Sequence, residues 1–153
     1  MSSASQVDSK PIENKRELVE WFEKGCTPAD KLLIGVEHEK PPFYLDNNKP
    51  VPFTGENGRK GVSDFISKMI AERGWYPGEP ERGVTIDLKK NNAGWTFEPG
   101  LQMETGGAPL RNVHQNAKET DETIKEAVEV TKSLGFGVLA QGCLLYTSPS
   151  PRD

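Results

Sequence analysis

Residues 31–40 read KLLIGVEHEK, and their alternation constrains the fold more than any other feature of the chain. Leu32, Ile34 and Val36 point one way while Leu33, Gly35, Glu37 and Glu39 point the other, the period of two that belongs to an extended strand. Both carboxylates therefore share one face, with Cα atoms about 6.5–7 Å apart across two steps of strand rise. His38 falls on the Val36 side, as a core or edge histidine would. Lys40 either balances the acidic face or, the simpler reading, is an exposed lysine at the strand end.

Later stretches repeat the extended pattern. VTIDL alternates Val84, Ile86 and Leu88, KKNNAG reads as a hairpin turn, and WTFE as the returning strand. Pro99 and Gly100 interrupt it, after which Gln102 and Glu104 share a face opposite Leu101 and Met103. The small residues 105–109, TGGAP, then make a turn in which Gly106 and Gly107 leave room for backbone to approach a ligand. FGVLAQ, from Phe136, reads as a buried strand, and residues 41–61 as turns around a short extended piece.

Three segments carry a helical period instead. KRELVEWFEKG groups Leu18, Val19 and Phe22 and stops at Gly25; SDFISKMIAERG, with Ser63 as its expected N-cap, groups Phe65, Ile66, Met69 and Ile70 and stops at Gly74. A long third helix over 112–133 shows Ala117, Ile124, Val128, Thr131 and Leu134 as its apolar stripe and ends at Gly135. Antiparallel strands with flanking helices make an α+β fold.

The formal net charge of −4 and the absence of a long basic run exclude a nucleic-acid groove and an anionic membrane surface. No stretch approaches the roughly twenty apolar residues of a membrane span. Cys26 and Cys143 lie far apart without metal-ligand spacing, so a reducing compartment is the default. The cytoplasm is expected, with a plastid as the alternative for the Ser-containing start.

Taken alone, E-x-E is what the wet face of an antiparallel sheet carries. Two such strands side by side would instead form an acidic cup, suited to Mg²⁺, which takes oxygen ligands and is held by one or two carboxylates together with substrate phosphates. His114, at the start of the long helix, is a cap, a surface residue or a ligand contact.

IGVEHEK at 34–40, FEPGLQMETGGAPL at 97–110, His114-Gln115 and the LGFG after the long helix together resemble the glutamate-cysteine ligases of the plant and proteobacterial type, in order and spacing over roughly residues 15–142. The resemblance implies part of a glutamine synthetase-like carboxylate-amine ligase catalytic domain. It implies ATP-dependent joining of the glutamate γ-carboxylate to the cysteine amine through γ-glutamyl phosphate, the first step of glutathione biosynthesis. Glu37, Glu39, Glu98 and Glu104 carry over as catalytic Mg²⁺ ligands, and Gln102 and His114 as substrate-pocket residues. Where the family usually has Gly-Gln-Phe-Glu-Leu-Ser-Gly-Ala-Pro, this chain has Leu101, Met103 and Thr105, so another amine is the alternative substrate. The expected organisation is a disordered start over 1–12, an incomplete ligase domain over 13–142 and a non-native tail over 143–153. Such a piece would be inactive alone, and a non-catalytic ligand-binding fragment is the remaining alternative.

Overall fold

A computed structural model describes residues 11–142. The expectations for the first twelve residues and for 143–153 lie, apart from Pro11 and Ile12, outside the described residues. The chain divides into two compact units, Met1–Leu33 and Ile34–Asp153, each taken here by itself.

The first unit holds α1 (Lys15–Lys24). The Asn14 side chain accepts the Glu17 N–H at 3.1 Å, and Gly25, the expected stop, donates to the Phe22 carbonyl at 3.0 Å, so both helix ends are satisfied. Leu18, Val19 and Phe22 share a side of α1 and are exposed.

The second unit is built on a five-stranded antiparallel sheet in the order β1-β6-β5-β4-β3. Its strands are β1 (Glu37–Lys40), β3 (Tyr76–Pro77), β4 (Asp87–Lys90), β5 (Ala93–Phe97) and β6 (Met103–Gly106). A separate pair joins β2 (Pro42–Tyr44) to β7 (Phe136–Val138), and two helices, α2 (Val62–Arg73) and α3 (Val113–Ser133), complete the unit. The fold is α+β, as the alternating periods require.

Two turns set the sheet's register. Asn91 and Asn92 both adopt positive φ, the geometry of a tight two-residue hairpin, which places Lys90 opposite Ala93 and Asp87 opposite Thr96. Between β5 and β6 the Glu98 N–H bonds to the Gln102 carbonyl at 3.0 Å, and Leu101 sits at φ 64°. A leucine there carries backbone strain that a glycine would not.

The strand expected from Leu32 is shorter than its alternation suggests. Only Glu37–Lys40 forms a ladder, with an isolated bridge from Ile34 to Leu110. Regular pairing ends after Gly106: the Gly107 N–H still reaches the Val36 carbonyl, but Pro109 has no N–H to offer, and contact resumes only at the Ile34–Leu110 bridge. Likewise Val84 lies outside β4, since Arg82 and Gly83 at positive φ fold Glu81 back onto Val84.

Trp95, Phe97, Leu88 and Met103 line the buried side of the sheet, against Phe65, Ile66 and Met69 of α2 and Ala127 and Val130 of α3. Phe65 meets Trp95 edge-to-face at 5.8 Å. The helix starts one residue before Ser63: Gly61 occupies the cap, and the Asp64 carboxylate accepts its N–H at 2.9 Å. That bond, with Lys60 beside it, holds Asp64 below the usual carboxylate range. On α3 the buried positions are Asn116, Ala127, Val130 and Thr131, while Ala117 is exposed; the face is offset from the most apolar one because small residues and hydroxyls bonded to their own helix permit close packing.

Lys40 corrects the expectation of an exposed strand end. Alternation turns it to the core side beside Met103, where it is 4 % exposed and its Nζ has no hydrogen-bond partner among the described residues. Burial pushes its pKa down, and burial followed by Lys40 pushes His38 down.

Removing the Phe65 ring leaves a hole against two aromatic partners. Phe65→Ala should cost about 3–5 kcal/mol, read as a lower urea midpoint. For Lys40, the unfolded chain holds the proton more readily than the folded one between the lowered pKa and 10.5, so its contribution makes stability rise with pH across that window. Lys40→Met should stabilise by about 1–3 kcal/mol at neutral pH and flatten that alkaline slope. Unchanged stability at pH 7 would show that the amine is satisfied.

Candidate active site

Register decides which acidic residues meet. Glu39 lies opposite Glu104 across β1 and β6, and Thr96 opposite Glu104 across β6 and β5. Asp87 of β4 faces Thr96, so Glu39, Glu104, Thr96 and Asp87 form one row on the side of the sheet away from the core. In the next row Glu37 faces Gly106, which faces Gly94. A Cβ built on Gly106 would meet nothing within 4 Å, so open space lies beside Glu37.

Directly paired residues on one face of a sheet have Cβ atoms about 4.5–5.5 Å apart, and like charges there repel. Glu37, Glu39 and Glu104 make no salt bridge among the described residues. The Thr96 hydroxyl donates to Glu104 Oε2 at 3.3 Å. Asp87, at the far end, lies 3.6 Å from Lys89 and its carboxylate lies over Gly78, where a side chain would have to displace it.

The other sequence-assigned residues are less concentrated. Glu98 stands past the end of β5, in the turn to β6, and Gln102 just before β6, with its carbonyl closing that turn. His114 is exposed in the first turn of α3, a helix that packs on the core side, so it is not brought to the acidic row. Capping belongs instead to Asn112, whose side chain accepts from the Gln115 N–H at 3.0 Å.

Gly107 serves packing: its backbone passes close to Val36 and to Glu119 of α3, whose Oε1 accepts the Ala108 N–H at 3.0 Å. The expected approach of backbone to a ligand is thus open at Gly106 and closed at Gly107. Thr96 and Asp87 escaped the sequence reading, although counting outward from the Asn91-Asn92 turn pairs them.

The donors on this face are all oxygens, the set that hard divalent cations take. Among the described residues no group of three or more His, Cys, Asp or Glu side chains is gathered closely enough to hold a metal, so the fit rests on the Glu39–Glu104 pair. Two carboxylates match what Mg²⁺ usually draws from a protein.

The chain is 32 % identical over 136 residues to the chloroplastic glutamate–cysteine ligase of Medicago truncatula, covering 89 % of this chain and 25 % of the relative. The Arabidopsis thaliana chloroplastic enzyme is 30 % identical over 139 residues (89 % and 24 %), and glutamate–cysteine ligase A of Oryza sativa subsp. japonica is 30 % identical over 128 (84 % and 25 %). The chain spans about a quarter of the length of these relatives. Residues 33–149 match the model of glutamate-cysteine ligase family 2 (GCS2), and they include every strand and both helices of the second unit. On the strength of that match, with the acidic strands inside it, this chain belongs to glutamate-cysteine ligase family 2.

Proposed function

We propose that the chain carries one acidic wall of the active site of an ATP- and Mg²⁺-dependent ligase that joins the γ-carboxylate of glutamate to the amine of cysteine, through γ-glutamyl phosphate, as the first step of glutathione biosynthesis. The observation that carries this reading is the cross-strand pair Glu39–Glu104, two carboxylates set directly opposite one another on the open face of the sheet. A bound Mg²⁺ would supply charge neutralisation during phosphoryl transfer. Glu39 and Glu104 would hold it, and Glu37, one row away beside the open space at Gly106, would take a neighbouring position. Glu98 and Gln102, at the β5–β6 turn, border the same face, Glu98 as a further ligand and Gln102 toward substrate. His114 is the weakest of the set, since its helix packs on the other side.

The departures at Met103 and Thr105 bear on the amine. Both side chains are buried on the core side, and Leu101 packs against the core from the turn. None of the three reaches the acidic face, which supports cysteine over another amine. The relatives named chloroplastic favour a plastid for the full protein.

The complete ligase encoded with this segment should form γ-glutamylcysteine and ADP only with divalent metal. Glu39→Gln or Glu104→Gln should lower its kcat/KM about a hundredfold or more, since each removes part of a metal contribution of several kcal/mol. In metal-free buffer Glu104→Gln should instead stabilise the fold by about 0.2–1 kcal/mol, by relieving the like-charge pair. Undiminished activity in both variants would reject the assignment.

A further inference from the structure

We propose that Thr96 is a positioning residue for Glu104, orienting its carboxylate toward a divalent cation shared with Glu39. This rests on the metal-binding reading above. Thr96 stands between Glu104 and Asp87 in the same row, and its hydroxyl donates to Glu104 Oε2 at 3.3 Å. A hydroxyl has one proton to give, and Asp87 already lies near Lys89. With Oε2 engaged by Thr96 of β5, Oε1 is the oxygen left for a cation shared with Glu39, the partner across β1.

The stiffness of a β-branched side chain suits the task, because the χ1 that points the hydroxyl at Glu104 is not readily exchanged for another. Hydrogen-bonded partners of metal-ligating carboxylates fix ligand orientation in this way. A threonine serving strand propensity alone would be replaceable by valine without consequence, since both are good strand formers. The two roles therefore predict opposite results for the same substitution.

Mn²⁺ titrated into the 153-residue chain, followed by calorimetry and by its paramagnetic resonance spectrum, separates them. Thr96→Val should weaken Mn²⁺ binding about tenfold, whereas Thr96→Ser, which keeps the hydroxyl, should stay within about twofold of the unaltered chain. Circular dichroism and metal-free thermal unfolding should be the same for the valine variant and the unaltered chain. If the unaltered chain and Thr96→Val bind Mn²⁺ equally while Glu104→Gln does not bind, the positioning role falls and the metal reading stands. If the unaltered chain fails to bind Mn²⁺, or Glu104→Gln binds it undiminished, the metal reading falls and takes the positioning role with it.

Discussion

The antiparallel register between β1 and β6 is the constraint on which the rest depends. A slip of one residue in β1 against β6 would turn Glu37 and Glu39 into the core and bring His38 and Lys40 out to the open face. The register is held in steps: the Asn91-Asn92 hairpin fixes β5 against β4 and the Glu98–Gln102 turn fixes β6 against β5, while β1 is set on β6 by its own ladder and by the Gly107 N–H to the Val36 carbonyl beyond it. The buried row of Leu88, Trp95 and Thr105 then locks it, because only one pairing buries the Trp95 ring against Phe65 and Trp75. Aromatic packing on one face thus fixes the spacing of carboxylates on the other. Core and site are two sides of one alignment.

That coupling explains the arrangement of glycines. Gly94 and Gly106 lie side by side in the row that ends at Glu37, so the outer face has a bare strip next to its acids. Gly107, one residue on, is occupied by packing against Val36 and Glu119. The TGGAP turn therefore does two jobs: it leaves the face clear, and through Glu119 and the Ala108 N–H it ties the end of β6 to α3. A helix on the core side so anchors the strand that carries Glu104.

Much of this was legible in the sequence. The period-two stretches, the Asn-Asn turn and the glycine stops at Gly25, Gly74 and Gly135 gave the elements, and Glu37, Glu39 and Glu104 were placed on the face where they stand. What could not be read is tertiary. Alternation does not say where pairing ends, so it extends the strands from Leu32 and Val84 too far; Pro109 opposite the first and the Arg82-Gly83 turn before the second decide it. The helical stripe of α3 holds at Thr131 and Leu134 but not at Ala117, because close packing selects Asn116, Ala127 and Val130 beside them. The charge of Lys40 suggests exposure, whereas its position in the alternation puts it inside.

The four residues of β1, Glu-His-Glu-Lys, break two rules of stable strand design at once. Glu39 faces a like charge in Glu104, and Lys40 is buried with an amine that has no hydrogen-bond partner among the described residues. A strand selected for stability alone would carry Thr at one position and Val or Met at the other, since those pair and pack without penalty. Sequence rules fail together in this way where a chain is committed to chemistry rather than to folding. The acidic conflict is of a kind that a cation resolves, and it lies on the open face. The amine cannot be resolved from that side, because alternation places it behind the strand; hydrophobic burial of its neighbours Met103 and Phe97 must hold it there. The strain of β1 is thus borne by the core, whose Trp95–Phe65 packing lies on the other face of the same sheet.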